Sequence, residues 1–426
     1  MTHELWRIEK LVPGGAGMAR RADGSVGFAP GALPGDRIAV ERLTQKKSYA
    51  EAREFRVLEP SAERVAPGCP NFERCGGCDW LHLAYDAQLR HKASLLAEAL
   101  HRTGGFREHP EIRVVPSPRQ SGYRSRIRLH IDDQGRFGFF AAASHRLVEL
   151  EHCPAALPEL NHAFTEFARI AREFPKLLAA FEQAELRASP LAPNFALRLV
   201  PRGDLQRASV AAEQLLTALR SVFSLSIAGI SGDFAQRFPL STTLSLEVPA
   251  DAFVQVNWEV NLLLVQALGD GARTRGVRRF LDLYAGAGNF TLALAAAGLS
   301  GVSVEGHPSA ARAARRSLEA YGFSKVEVHA ADVRTALGAL DPRAEPFDLA
   351  VLDPPRAGAA EILASLVALS PRTIAYCSCD PVTLSRDLQR LTKRGYVLEA
   401  LSAFDMFPGT HHLEALAWLS RAPLRA

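Results

Sequence analysis

The chain has 426 residues, 47% hydrophobic and 23% charged, with a formal net charge of +4. This is ordinary globular composition and excludes a disordered or low-complexity chain, and the length predicts two or three domains. No apolar run reaches the length of a membrane span, and M-T-H-E-L-W-R-I-E-K lacks the apolar core of a secretion signal. A cytoplasmic protein is therefore expected, with its six cysteines serving as metal ligands or catalytic groups rather than disulfides.

Residues 5–58 read as short strands at 5–11, 25–29, 37–43 and 50–58. They are punctuated by Gly14-Gly15-Ala16-Gly17 and Pro34-Gly35-Asp36. This spacing predicts a small β-barrel over 1–59, of the OB type that commonly binds nucleic acid. Arg42, Lys46, Lys47, Arg53 and Arg56 make one half of it basic, either for a polyanion or as a solvated surface.

Next, Cys69-P-N-F-E-R-Cys75-G-G-Cys78 places three thiols within ten residues around a two-glycine turn, which lets backbone amides approach ligand sulfurs. Cys153, in E-H-C-P, is the candidate fourth ligand. Four thiolates suit zinc or an iron–sulfur cluster, and three clustered ligands with one distant favour the cluster. Residues 84–103 have helical spacing and end at Gly104-Gly105. In S-G-Y-R-S-R-I-R-L-H-I, Arg124, Arg126 and Arg128 alternate along a strand and share one face, as a phosphate track or a solvated face. Residues 158–190 are expected to be helical and 194–250 mixed. Together 60–250 form an α+β central domain, whose helix 84–103 can pack on the domain that follows.

From 251 onward, strands and helices alternate. Strands are expected at 279–284, 300–305, 325–329, 348–352 and 373–377, with helices at 257–268, 308–321 and 361–369. This predicts a doubly wound parallel sheet of Rossmann type, whose chemistry lies at the C-terminal ends of its strands. Asp282-L-Y-A-Gly286-A-Gly288-N is a strand-to-helix turn with an acid before it. Its third glycine position is Thr291, so the dinucleotide pattern G-x-G-x-x-G is broken. Glu305, closing the second strand, suits ribose hydroxyls, and Asp332, closing the third, falls where an adenine would lie. The set fits S-adenosylmethionine. Asp353-Pro354-Pro355-Arg356 follows the fourth strand, with Arg356 where amino-methyltransferases often carry an aromatic residue.

The stretch 375–387, A-Y-C-S-C-D-P-V-T-L-S-R-D, ends a buried strand on two cysteines and turns at Asp380-Pro381. Cys379 is expected to be a nucleophile; Cys377, inside the strand, is expected to be a small buried hydrophobe. In F-P-G-T-H-H-L-E, Glu414 sits among apolar residues, which suits a general base. His411 and His412 more often cap a turn than bind a ligand. A thiolate, a carboxylate base and a methyl donor together define methylation of carbon 5 of uracil. Cysteine adds to carbon 6, the resulting enolate takes the methyl group, and the base removes the carbon 5 proton. A uridine in folded RNA must first be extruded.

These motifs resemble the SAM-dependent RNA uracil-5 methyltransferases, over nearly the whole chain. That family includes enzymes acting on 23S ribosomal RNA and on the T-loop of tRNA. G-G-A-G-M-A-R and P-G-A-L-P-G-D resemble its TRAM domain, an RNA-binding barrel. The spacing of Cys69, Cys75, Cys78 and Cys153 is similar to its [4Fe–4S] site. The resemblance implies Gln255, Tyr284, Asn289, Glu305 and Asp353 at the cofactor, Cys379 as nucleophile and Glu414 as base. It implies a monomer acting on RNA, most simply 23S rRNA. A tRNA uridine-54 enzyme is the alternative, and a non-catalytic RNA-binding protein is a more distant one. Two positions depart from the family pattern: Leu81 stands where glutamine is usual, and Asp380 where asparagine is common.

Overall fold

The computed structural model describes residues 4–190, 192–203, 206, 210, 213, 215, 218–220, 222–227, 235–341, 343 and 345–422. At the N-terminus, β1 (Glu4–Leu11), β2 (Gly17–Arg20), β3 (Val26–Ala29), β4 (Arg37–Gln45) and β5 (Tyr49–Glu59) close a barrel in the order β1-β2-β3-β5-β4. Alternate residues point inward, so Trp6, Ile8, Ile38, Val40, Ala50 and Ala52 fill the interior. Gly27 makes room for the indole, since a Cβ there would stand 2.6 Å from the Trp6 ring. The expected basic half is largely answered by acids: Arg42 pairs with Glu54 at 2.9 Å and Arg53 with Glu51 at 2.9 Å. Lys46 and Lys47 stay exposed.

A shared core of Leu11, Leu33, Trp80, Leu83, Ala87 and Leu95 seats the barrel on helix α1 (Tyr85–Arg102). The Trp80 indole N–H donates to the Gly15 carbonyl at 3.1 Å. After β6 (Ile112–Val115) come β7 (Arg126–Ile131), β8 (Phe137–Phe140), β9 (Leu147–Val148), β10 (Phe181–Ser189), β11 (Ala192–Pro201) and β12 (Phe223–Ile227). Strands β7 to β12 form a six-stranded sheet in the order β12-β11-β10-β7-β8-β9. Helix α2 (Pro158–Glu173) packs on one face through Phe164 and Phe167.

The helix expected over 158–190 is cut short. Pro175 interrupts it after Glu173, a short α3 (Pro175–Leu178) follows, and 181–189 is strand. Alternating Ala184, Leu186 and Ala188 let β10 pair with both β7 and β11, and that two-sided pairing outweighs helical propensity.

After the hairpin β13 (Ala235–Pro239) and β14 (Ser245–Pro249) lies α4 (Trp258–Thr274), capped by the Asn257 side chain. The alternating elements are β15 (Arg279–Leu283), α5 (Asn289–Ala296), β16 (Ser300–Glu305), α6 (Pro308–Ala320), β17 (Val326–Ala330) and α7 (Val333–Ala339). There follow β18 (Leu349–Leu352), α8 (Leu363–Ala368), β19 (Thr373–Ser378), α9 (Pro381–Thr392), β20 (Tyr396–Phe404) and β21 (Glu414–Arg421). They form one sheet in the order β17-β16-β15-β18-β19-β21-β20-β6. Strands β15 to β19 are parallel, as expected, but the sheet is mixed rather than wholly parallel. β20 and β21 form a hairpin that inserts β21 antiparallel against β19. From the 60–250 stretch, β6 adds to the edge of this sheet. Leu96 and Leu100 of α1 share a core with Leu384 and Leu388 of α9. Among the described residues, no helix is long and apolar enough to cross a membrane.

Candidate active site

Strand β19 is buried along its whole length and stops at Ser378. Asp380 then caps α9, its carboxylate accepting from the amides of Val382 at 3.0 Å and Thr383 at 2.8 Å. Pro381 occupies the first helical turn, where its missing N–H costs nothing. Cys379 is thus the residue between a buried strand and a capped helix, half-buried at the C-terminal edge of the sheet. Cys377 lies in the core below it. Aspartate at 380 caps as asparagine would, which explains why that departure leaves the turn intact.

Antiparallel β21 starts beside this edge. Ser378 pairs with Ala415, so Glu414 stands one step further along, next to Cys379. Glu414 is only 3% exposed, and its Oε1 has no hydrogen-bond partner. Burial, together with the charge of Asp353, pushes its carboxyl well above the ordinary range. Asp353, just past β18, is pushed up to about 6 by burial. Burial raises the Cys379 thiol to about 11, Glu414 adds to the rise, and Arg356 opposes it with its charge and a hydrogen bond. Four groups from three strand ends therefore meet: a thiol, two carboxyls and a guanidinium. The guanidinium's contact with the thiol has one signal in the sequence, the position of Arg356 three residues past the strand-end aspartate, behind a rigid proline pair.

On the neighbouring strands, β15 ends in a tight turn. Tyr284 has φ +62°, Gly286 +59° and Gly288 +96°. A non-glycine residue with positive φ is held against local strain, and such strain collects at functional sites. Glu305 braces this turn, its carboxylate accepting from the amides of Gly286 at 2.7 Å and His307 at 2.5 Å. Asp282 is fully buried and raised to about 7 by burial; Thr291 donates to it at 2.5 Å. The Asn289 amide exchanges two hydrogen bonds with Asn261, at 2.9 and 2.8 Å, and locks α5 to α4. Asp332 caps α7 by accepting from Arg334 N and Thr335 N. Gln255 is buried in the segment before α4.

Cys69, Cys75, Cys78 and Cys153 all line one cavity of about 340 Å³, together with Arg124, Phe72 and Phe139. The Asn161 amide brackets Cys153, accepting from its N–H at 2.9 Å and donating to its carbonyl at 3.0 Å. Burial raises the Cys75 thiol and takes Cys78 up to about 12. Among the described residues, no three acidic, histidine or cysteine side chains converge as ligands of a single ion.

The expected row of three arginines divides. Arg124 precedes β7 and turns into the thiol cavity, with its Nε donating to the Tyr123 hydroxyl at 3.3 Å. Arg126 and Arg128 instead meet Glu185, at 3.5 and 3.2 Å. The Tyr123 hydroxyl donates to the Pro408 carbonyl at 3.0 Å, and Asp79 holds His411. The thiol cavity thus shares a wall with the loop that leads to Glu414.

Residues 84–422 match the tRNA (uracil-5-)-methyltransferase family, and the chain belongs to that family. It is 33% identical to the 23S rRNA (uracil(1939)-C(5))-methyltransferase RlmD of Shewanella sp. (strain MR-7), over 97% of this chain and 95% of that protein. It is 30% identical to RlmD of Vibrio parahaemolyticus, over 99% and 96%. Its structure is similar to that of the Pyrococcus abyssi tRNA (uracil-54, C5)-methyltransferase in complex with S-adenosyl-L-homocysteine. That match has a TM-score of 0.73 and 26% identity, and covers 97% of this chain and 100% of the other.

Proposed function

We propose that the protein methylates carbon 5 of a uridine in 23S rRNA, working as a cytoplasmic monomer with all reacting groups drawn from one chain. The observation that carries this reading is the convergence of Cys379, Glu414, Asp353 and Arg356 at the ends of β18, β19 and β21. S-adenosylmethionine supplies the methyl group. Gln255, Tyr284, Glu305, Asp332 and Asp353 hold it, with Asn289 fixing the helix beside it. Cys379 gives its proton to a neighbouring carboxylate and adds to carbon 6 of the uracil. Electron density moves to carbon 5, which takes the methyl group. Glu414 then removes the carbon 5 proton, the carbon–sulfur bond breaks, and the thiolate leaves. Its pKa, raised by burial, makes Glu414 a stronger base than an exposed carboxylate. Arg356 steadies the thiolate in both steps.

Cys69, Cys75, Cys78 and Cys153 suit a [4Fe–4S] cluster. All four thiols line one cavity, and a [4Fe–4S] cluster, in which each iron takes one thiolate, uses four such ligands. Bound there, the cluster would crosslink the 69–78 loop to Cys153 and order the RNA-facing surface. The barrel serves as a TRAM-type RNA-binding domain.

Methylation of total rRNA and tRNA with labelled S-adenosylmethionine, followed by mapping of the modified uridine, tests the reading. Label confined to 23S rRNA is expected. Label in the tRNA T-loop would favour the second reading, which the similarity to the Pyrococcus abyssi structure motivates. For the cluster, anaerobically purified protein should be brown and contain about four irons per chain. Iron-free, colourless protein would refute it.

A further inference from the structure

Strand β7 alternates strictly. Ile127, Leu129 and Ile131 face the core, while Arg126, Arg128 and His130 point away from it. Antiparallel β8 sets Gly138 opposite His130. A side chain at 138 would place its Cβ 2.4 Å from the Val148 carbonyl, so this face stays flat there. Phe140 lies on His130, with ring centroids 3.6 Å apart and planes 13° from parallel. His145 meets Phe140 edge-on at 5.1 Å and is exposed. Arg128, 52% exposed, stands beside the rings. The acids nearby are Glu185, shared between Arg126 and Arg128, and Glu182 near His130.

Two contacts give this patch its place in the molecule. At one end Arg126 lies 5.2 Å above the ring of Phe253, which is 61% exposed two residues before Gln255. At the other, the Gly76 amide in the cysteine loop donates to the Phe140 carbonyl at 2.9 Å, while Phe139 lines the thiol cavity. A row of cations and rings thus runs from the cofactor segment over the cysteine module.

We propose that His130, Phe140 and His145, with Arg128, form a base-stacking platform for a single-stranded stretch of the substrate RNA beside the target uridine. The proposal rests on the RNA methyltransferase reading above. Flat rings stack any nucleobase, and interleaved guanidiniums meet the phosphates between bases.

The test is fluorescence anisotropy of the full chain with a labelled oligouridylate, alongside methyl transfer to rRNA. Phe140→Ala should weaken binding roughly tenfold and Phe140→Trp should restore it. Arg128→Ala should lower the slope of log affinity against log salt by about one, whereas Phe140→Ala leaves the slope unchanged. In methyl transfer the Phe140→Ala KM for RNA rises while kcat at saturating RNA holds. His145→Ala, at an exposed position, should weaken binding about threefold and serves where Phe140→Ala melts early. Parental affinity in His145→Ala and in the Phe140→Ala/His145→Ala double variant overturns the platform while leaving the enzyme reading intact. A parent protein that neither binds nor methylates RNA overturns both.

Discussion

At neutral pH the Cys379 thiol is protonated, because burial and the Glu414 charge disfavour the thiolate more than Arg356 favours it. The proposed nucleophilic role therefore requires a neighbouring proton acceptor at the moment of attack. Cys379→Ala should lower methyl transfer by about a thousandfold or more while calorimetry still detects S-adenosylmethionine binding. Glu414→Gln should allow addition and methylation but not elimination. A protein–RNA adduct that survives denaturing electrophoresis is then expected, and its absence would count against Glu414 as the base. Asp353 gives a pH signature. Its folded pKa, about 6, lies above the ordinary 3.8, so the folded chain binds this proton more tightly than the unfolded chain. Its contribution to stability is complete below the unfolded value and is lost as pH rises through 6. Asp353→Asn should therefore raise the melting temperature relative to the parent more at about pH 8 than at about pH 5.

At the scale of single elements, the turn between β19 and α9 carries Cys379, the proposed nucleophile, and a short signal wrote it. An apolar run, then Asp-Pro, specifies a strand, a helix cap and a first-turn proline. Asp380→Ala should cost about 1 kcal/mol in denaturant unfolding, and Asp380→Asn almost nothing. Strand β10 shows the opposite case. Its alternating Ala184, Leu186 and Ala188 sit among Glu182, Gln183, Glu185 and Arg187, a composition that also suits a helix. Only the presence of β7 and β11 on either side makes strand the better state. The insertion of β21 had no local signal either, because β20 and β21 are ordinary strands whose order in a sheet is a matter of long-range pairing.

Across the whole molecule, helix α1 ties three parts together. Lys10 of the barrel meets Glu98, and Leu96 and Leu100 pack on the C-terminal sheet. The Gln88 side chain accepts from Gly409 N at 2.8 Å. Lys92, 1% exposed, donates to Asp405 at 2.5 Å and to the Phe407 carbonyl at 3.0 Å, in the loop before Glu414. Removing one partner strands a buried charge. Lys92→Ala should cost about 3–5 kcal/mol by urea unfolding, while Lys92→Met combined with Asp405→Leu should recover most of it. A small loss in the single variant would show that water reaches Asp405.

By itself, the sequence determined the barrel, the parallel core of the C-terminal sheet and the chain positions of the cysteine and glutamate motifs. Each of these is written in local periodicity, in turn residues or in short spacings, which act over a few residues. The tertiary structure alone decided that Glu414 lies beside Cys379, since antiparallel β21 brings together residues far apart in the chain. It also decided that Arg124 turns to the thiols while Arg126 and Arg128 remain on the open face. Alternation fixes which side of a strand a residue takes, but what stands on that side is set by packing. Likewise Phe140 and His130 are unremarkable as letters, and become a stacked pair only because β8 folds back across β7 at Gly138.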